Sequence, residues 1–184
     1  PVPVPGTEEA FDVFWRPDSR AMAFVAFGLL RRLDLDGDDA EPVGPADESS
    51  GGAWSESLGL LVTSREYAGL VLFRGDGGEP VPITTPDPAR EEQVHRFPQF
   101  LPDGRSFIYH AQSRRPELSA VYLARVGEPG RTRLLDTPYK AELGSPDLLY
   151  FVRDGRLMAQ SLDLRRRTLV GTAADLGAAV FTAE

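Results

Sequence analysis

Cysteine is absent from the chain, so disulfides and thiolate chemistry are excluded. Histidine occurs only twice, which leaves little for a transition-metal site, and lysine occurs once, at Lys140. No apolar run approaches the ~20 residues that a membrane helix requires, and the longest, residues 21–30, is about half that length. Residues 1–5 alternate proline with valine and lack the basic start and apolar core of an export signal. Any export signal is therefore expected outside this sequence.

Sequence motifs for catalysis are also missing. We find no glycine-rich phosphate loop, no Gly-x-Ser-x-Gly elbow, no His-Glu-x-x-His motif and no His-Arg-Asp kinase loop. His95 has no serine or cysteine nucleophile motif beside it, and His110 ends an apolar strand, where packing is the commoner role. From the residues alone we expect that the chain is not an enzyme, with no catalytic, cofactor-binding or metal-binding residues and no cofactor.

The charge of the chain is strongly acidic and unevenly distributed. The net charge is −8 and the isoelectric point is near 4.9. Residues 1–60 carry 12 acidic and 4 basic side chains, whereas the remainder carries 16 of each. Because an acidic chain repels a phosphate backbone, no nucleic-acid partner is expected.

Residues 96–125 contain a complete β meander with its turns. Phe100 leads into Pro102-Asp103-Gly104, in which proline fixes φ and Asp-Gly tolerates the positive φ of a tight turn. Residues 107–109 are aromatic and β-branched, and residues 120–123 alternate again after a short gap. This pattern predicts three antiparallel strands.

The same pattern of an aromatic residue, a turn and an apolar run recurs along the chain. Trp15 and Trp54 are 39 residues apart, and Trp54 and Phe100 are 46 residues apart. A Pro-Asp pair follows Trp15 and recurs at Pro146-Asp147, before a fourth apolar run. A period of roughly 40–45 residues with about four strands per unit is typical of propeller blades.

We therefore predict an all-β chain, a β-propeller of four-stranded antiparallel blades with about four complete blades. The blades are expected at approximately residues 11–45, 53–84, 97–135 and 139–176. Residues 1–5 and 177–184 are expected to be strands of incomplete blades. Propellers have roughly 4–8 blades, so these end strands suggest a segment of a ring of about six to eight. Open blade faces would be apolar and would favour self-association.

The repeated Trp/Phe-x-Pro-Asp-Gly/Ser-Arg turn resembles the Pro-Asp repeat of TolB-like, WD40-like bacterial β-propellers. More narrowly, HRFPQFLPDGRSFIYHAQ and LLYFVRDGRLMAQSLD are similar to the C-terminal extracytoplasmic propeller of bacterial transmembrane serine/threonine kinases. The resemblance runs from about Phe11 to Leu176 and departs at Glu56-Ser57, where the second repeat lacks the Pro-Asp pair. It implies a binding role and an extracytoplasmic or periplasmic location.

Three functions remain open from the sequence. The first is a non-catalytic binding or sensor module for a protein or small-molecule ligand, which uses the loops between blades and between the second and third strands. The second is an accessory propeller of a kinase, a peptidase or a TolB-type envelope assembly protein. The third is a metal-dependent, lactonase-like propeller enzyme. We prefer the first, and its candidate partner-binding residues are Arg65, Tyr67, His95, Arg114, Arg115 and Tyr139.

Overall fold

The chain forms four separate antiparallel sheets of four strands, and within each sheet every strand pairs with the next one along the chain. This is the architecture of the computed structural model, which describes residues 4, 6–37, 39–46, 50–75, 79–145 and 147–180. The predicted fold class is confirmed, because the four sheets form the blades of a partial β-propeller. Apart from Val4, the end strand predicted at residues 1–5 lies outside the described residues, as do residues 181–184.

Blade 1 contains β1 (Phe11–Trp15), β2 (Ala21–Ala26), β3 (Leu29–Asp34) and β4 (Glu41–Pro45). Blade 2 contains β5 (Gly52–Ser55), β6 (Gly59–Thr63), β7 (Leu70–Phe73) and the short β8 (Val81–Pro82). Blade 3 contains β9 (Glu92–Phe100), β10 (Ser106–Ser113), β11 (Ala120–Arg125) and β12 (Thr132–Asp136). Blade 4 contains β13 (Ala141–Ser145), β14 (Leu148–Arg153), β15 (Arg156–Asp163) and β16 (Thr168–Ala179). Two short 3-10 helices lie at Pro88–Arg90 and Pro116–Leu118.

The Pro-Asp turn of blade 3 is held by the side chain of its aspartate. The Asp103 carboxylate accepts hydrogen bonds from the backbone N–H groups of Arg105 (2.9 Å) and Ser106 (2.7 Å) and pairs with Arg125. Burial alone would raise the pKa of Asp103, but these donors outweigh it and lower the pKa below its ordinary value. The Asp-Gly pair therefore closes the hairpin as the sequence predicts.

The cores lie between neighbouring blades, where their middle strands pack against one another. In β10, Ile108 packs towards blade 4, whereas Phe107 and Tyr109 pack towards blade 2. A third cluster, which includes Val25 and Val62, joins blades 1 and 2. In the described part of the chain, no comparable strand packing joins blade 1 to blade 4. The blades therefore follow one another around an axis as successive packed sheets.

A chain-order meander places alternate turns at opposite ends of each sheet. The turns between the first and second strands and between the third and fourth, including those at Pro17-Asp18 and Pro102-Asp103, emerge on one face, which we call the turn face. The turns between the second and third strands emerge on the other face, together with the segments that join the blades. We call this second face the connector face.

The free side of blade 1 is not open as the sequence suggested. Phe24 is fully buried there with Met22, and Ala10 and Ala40 pack against this cluster. In blade 4, Tyr150, Val152 and Leu157 lie opposite the core shared with blade 3 and remain half-buried, and they also border an opening at the connector end of blades 3 and 4 that is described below. Self-association through an apolar blade face is therefore expected only at blade 4.

The side chain of Gln99 links blade 3 to blade 4. Its Oε1 accepts the N–H of Leu143 at 2.6 Å, and its Nε2 donates to the carbonyl of Leu143 at 3.3 Å. We expect Gln99→Leu to lower the free energy of unfolding by about 1–3 kcal/mol, because both backbone groups lose their partner. Urea denaturation measures the loss. Gln160→Leu, which removes an exposed bond within blade 4, is the matched control and should cost less than about 1 kcal/mol. Equal losses would show that Gln99 is no inter-blade link.

Candidate functional site

The innermost strands of the four blades meet at the axis and border one cleft on the connector face. These strands are β1, β5, β9 and β13, each the first of its blade. The cleft has a volume of about 310 Å³. We call it the axial cleft, and its lining includes Asp12, Gly51, Phe97, Gln99, Lys140 and Glu142.

Two strained residues border the axial cleft at equivalent positions. Asp12 in β1 has φ 50° and Phe97 in β9 has φ 53°. The pairing register shifts around each residue, as at a β-bulge. Among the residues that the structure describes, they are the only non-glycine residues inside a strand with positive φ. For a bulky residue such as phenylalanine this conformation costs on the order of 1–3 kcal/mol, so the surrounding structure must hold it.

The segment before β5 holds both bulges. The Asp12 carboxylate accepts the N–H of Gly51 at 2.9 Å, and the Phe97 N–H donates to the carbonyl of Ser50 at 2.7 Å. A Cβ on Gly51 would lie 3.1 Å from the Phe97 ring, and a Cβ on Gly52 would lie 2.5 Å from the Phe14 ring. Glycine at these two positions therefore lets blade 2 approach the inner strands on both sides.

Charged side chains surround the Phe97 ring. The Arg96 guanidinium lies 4.9 Å from the ring centroid and the Lys140 ammonium lies 5.4 Å from it. Lys140 also forms an exposed ion pair with Glu142 at 2.6 Å. Cations at these distances are attracted to an aromatic face, so Phe97 presents a positively flanked ring to the cleft.

A second opening, the blade 3–4 groove, adjoins the axial cleft on the connector face. It has a volume of about 460 Å³ and shares Phe97, Lys140 and Glu142 with the axial cleft. Its lining is largely aromatic and aliphatic and includes the buried His110. The other residues that border it include Arg96, Gln112, Tyr139, Tyr150, Phe151, Val152 and Leu157. The two openings together form one continuous surface, which we call the connector-face site.

The structure places five of the six predicted partner-binding residues in connector-face loops. Arg65 and Tyr67 lie between β6 and β7, Arg114 and Arg115 lie between β10 and β11, and Tyr139 lies between β12 and β13. All five are exposed. Only Tyr139 borders the connector-face site described above.

His95 is the exception, and its predicted surface position is wrong. Strand β9 begins at Glu92, earlier than the predicted start of blade 3 at about residue 97, so it carries His95 into the interior, where the residue is 0% exposed. Its Nε2 faces a Glu92 oxygen at 2.9 Å and its Nδ1 faces the Thr84 hydroxyl at 2.7 Å. Because the Glu92 carboxylate only accepts, Nε2–H donates to it and Thr84 donates to Nδ1. His95 therefore belongs to the contact between blades 2 and 3.

Arg131 completes this buried cluster. Its guanidinium holds both carboxylate oxygens of Glu92, at 2.7 and 2.9 Å, and lies 4.0 Å from the ring centroid of Tyr122. Burial would raise the pKa of Glu92, but hydrogen bonds from His95, Arg131 and the Asp87 N–H lower it to about 2. Burial lowers the pKa of His95, so the imidazole is neutral at pH 7.

A third opening, of about 570 Å³, lies on the turn face. Turn residues border it, and several of these already form hydrogen bonds within one turn or between the turns of neighbouring blades. The Ser55 hydroxyl donates to the carbonyl of Gly104 at 2.8 Å, and Asp103 is occupied as described above. Its polar groups therefore serve the turns themselves.

Sequence reasoning missed most of the connector-face site. It did not single out Asp12, Phe97, Gln99 or Glu142, and it noted Lys140 only as the sole lysine. The Phe-Pro pair at Phe97-Pro98 is the one local signal, because a proline within a strand marks a bulge or an edge. Nothing comparable marks Asp12.

The described part of the chain shows neither a metal cluster nor a membrane span. No three His, Asp or Glu side chains there lie close enough together to hold a metal ion. No helix among these residues combines the length and apolarity needed to cross a membrane.

No protein-family model and no curated protein matches the chain. Solved structures do match its fold. TolB from Acinetobacter baumannii superposes with a TM-score of 0.70 over 92% of this chain and 44% of its own, at 10% identity. The calcium-binding protein regucalcin from Agrobacterium tumefaciens superposes with a TM-score of 0.60 over 90% of this chain and 58% of its own, at 16% identity. An oligogalacturonate lyase in complex with manganese superposes with a TM-score of 0.64 over 90% of this chain and 52% of its own, at 15% identity. The chain thus spans about half the length of these structures.

The expectation that the chain is not an enzyme is corrected by this comparison. It rested on the absence of short catalytic motifs, yet a lyase has the same fold over 90% of the chain. Catalytic groups in a propeller can come from separate blades, which no linear motif reveals. The fold therefore does not exclude catalysis, and what the comparisons establish is that this chain has the β-propeller fold of TolB.

Proposed function

We propose that the chain is a binding module that receives a segment of a protein partner at the connector-face site. The strained pair Asp12 and Phe97 is the observation that carries the proposal. Backbone strain inside strands persists only where the structure enforces it, and it concentrates at ligand-binding positions. Both residues border the axial cleft, where loops positioned by a rigid scaffold are available for recognition.

The surface chemistry of the connector-face site supports a partner of mixed character. Aromatic side chains, which provide large contact areas in protein interfaces, lie beside the charged Arg96, Lys140 and Glu142. The exposed Tyr139 stands at its edge, 36% exposed. By contrast, the opening on the turn face is bordered by groups that already form hydrogen bonds within or between turns.

The similarity of residues 95–112 to kinase-attached propellers extends the proposal to its context. In that context the propeller is the extracytoplasmic sensor part of a bacterial receptor serine/threonine kinase, and binding at the connector face is the signal it reports. The reading frames beside this segment test the context, because a kinase domain and a membrane span upstream are expected.

Site-specific photo-cross-linking tests the binding face. We expect p-benzoylphenylalanine in place of Tyr139 to give a discrete adduct with a protein from an extract of the native cells. The matched control places the same amino acid at Leu164, which lies between β15 and β16 on the turn face and is 38% exposed. That position should give no such adduct. Equal adducts at both positions, or an adduct at Leu164 alone, would refute the connector-face assignment.

A further inference from the structure

The blade 3–4 groove has the size and lining of a pocket for one large apolar side chain. Its volume of about 460 Å³ lies within the range of ligand pockets, roughly 300–1,000 Å³. Phe151 and His110 are almost fully buried, at 2% and 4% exposure. Phe97, Tyr150 and Leu157 are half-buried around them. An aromatic or long aliphatic group would thus remove apolar surface from water on several sides at once.

The mouth of this groove carries an excess of positive charge, although the chain as a whole is acidic. Arg96, which donates to Gln112 at 3.2 Å, and Lys140, which pairs with Glu142 at 2.6 Å, are both cationic, and Glu142 is the only carboxylate among the described residues that border the groove. His110 adds no charge at pH 7, because burial lowers its pKa and its Nε2 donates to the carbonyl of Thr137 at 3.2 Å. The local field therefore favours an anion over a cation.

An aromatic-lined groove could instead hold a cation, but the position of the two basic side chains argues against this. Arg96 and Lys140 both already lie against the Phe97 ring, at 4.9 and 5.4 Å from its centroid. An incoming ammonium would meet these charges at the ring that should attract it. A carboxylate would meet them favourably, with charge-assisted hydrogen bonds.

We propose that the blade 3–4 groove binds a partner segment that carries a large apolar side chain next to a carboxylate. The apolar side chain fills the groove between Phe97, Tyr150 and Leu157, and the carboxylate reaches Arg96 and Lys140 at its mouth. This inference rests on the proposed function, since it names the chemistry of the segment that the connector-face site receives. The carboxylate can belong to an acidic side chain or to a C-terminus, which share this chemistry.

Dipeptide probes with the same apolar group and a different charge beside it test the proposal. Titrations of the ¹⁵N-labelled chain with Ac-Asp-Phe-NH₂, Ac-Asn-Phe-NH₂ and Ac-Lys-Phe-NH₂ compare an anion, a neutral isostere and a cation on the same apolar group. We expect the Asp probe to bind roughly tenfold more tightly than the Asn probe, and the Lys probe to bind most weakly. Amide shifts should cluster at residues 96–97, 110–112 and 150–152. Ac-Phe-OH, in which the carboxylate is terminal, distinguishes the two sources of the carboxylate.

Substitutions at the mouth of the groove show which side chains cause the preference for the Asp probe. Arg96→Gln and Lys140→Gln should each remove most of the Asp-over-Asn preference. Arg105→Gln, which alters an exposed arginine of the same blade on the turn face, is the matched control and should change neither affinity. Tyr139→Ala should weaken all probes alike, because it removes apolar contact.

Three outcomes would overturn the inference: equal affinities for the three probes, preference for the Lys probe, or shifts that map to the turn face. These outcomes differ from a failure of the proposed function. If cross-linking at Tyr139 succeeds and the dipeptides show no charge preference, binding at the connector-face site is supported and the proposed carboxylate recognition is refuted. If the Asp preference is seen but Leu164 alone cross-links, the groove binds acidic groups and the partner docks elsewhere.

Discussion

Arg131→Met is expected to lower the free energy of unfolding by about 3–5 kcal/mol, because it leaves the charge of Glu92 buried without its cation. The Glu92 side chain is 0% exposed, whereas that of Arg131 is 21% exposed. Methionine keeps apolar contact with the Tyr122 ring, so the loss reports the ion pair rather than packing. Urea denaturation at pH 8 measures it.

Two further variants separate the buried pair from ordinary surface electrostatics. Glu92→Gln combined with Arg131→Met should recover part of the loss, because a neutral amide replaces the isolated carboxylate. Arg115→Met removes the exposed pair with Glu117, where the side chains are 54% and 61% exposed, and should cost about 0–1 kcal/mol. If Arg131→Met costs no more than Arg115→Met, the Glu92 cluster does not hold blades 2 and 3 together.

The loss caused by Arg131→Met should shrink as the pH falls from 8 to 6. In the native chain, burial and the Arg131 charge both lower the pKa of His95, while Glu92 opposes them. Removing Arg131 raises the folded-state pKa of His95. His95 of the folded variant therefore becomes protonated at a higher pH than His95 of the folded native chain. The imidazolium then pairs with Glu92. A loss independent of pH would contradict this role for His95.

Acid itself should weaken the native chain over a defined range. The pKa of Glu92 is lowered from 4.5 to about 2, so the unfolded chain takes up the proton first. The stability contributed by Glu92 is complete above pH 4.5 and is lost as the pH falls towards 2. Glu92→Gln should flatten this part of the stability profile.

Gly59→Ala is expected to lower the free energy of unfolding by about 2–4 kcal/mol. Gly59 has φ 110°, and a Cβ there would lie 2.1 Å from the carbonyl oxygen of Phe73 and 2.9 Å from the N–H nitrogen of Gly75. Both obstacles are backbone atoms of the neighbouring strand and its turn, so relief requires β6 and β7 to separate. Thermal melting and urea denaturation measure the cost.

Gly75→Ala is the matched control for this substitution. A Cβ at Gly75 meets nothing within 4 Å and its φ is not positive, so the change should stay within about 0.5 kcal/mol. Similar losses for both variants would mean that the loss at Gly59 reflects glycine removal in general rather than the close approach of β6 and β7.

The blade architecture could be predicted because its signals are local and repeated. The Pro-Asp-Gly turn at Asp103 closes a hairpin by bonds to the residues two and three positions further on, and such bonds depend on nearby sequence alone. Repetition of the pattern at blade spacing then indicated the propeller. The exposed side chain of Trp15, at 52%, shows the limit of the repeat. The aromatic of blade 1 occupies the predicted strand but is not buried against a neighbour.

The candidate site could not be predicted in the same way, because it depends on contacts between distant segments. Residues 11–15 have the sequence pattern of an ordinary strand, and the positive φ of Asp12 accompanies a hydrogen bond to Gly51, 39 positions away. Phe97 is held by Ser50, 47 positions earlier. His95 followed a proline-rich loop and was expected at the surface, yet its partners Glu92 and Arg131 draw it inside. Only the folded arrangement brings these groups together.

Hydrogen–deuterium exchange of the chain with and without the partner captured at Tyr139 tests the central claim most directly. The claim is that the partner enters at the connector face, where the four inner strands meet. We predict slower exchange on binding at residues 50–52, 94–98 and 138–142, which border or hold the axial cleft and the blade 3–4 groove. Slower exchange confined to residues 55–58 and 101–105, beside the opening on the turn face, would contradict the account.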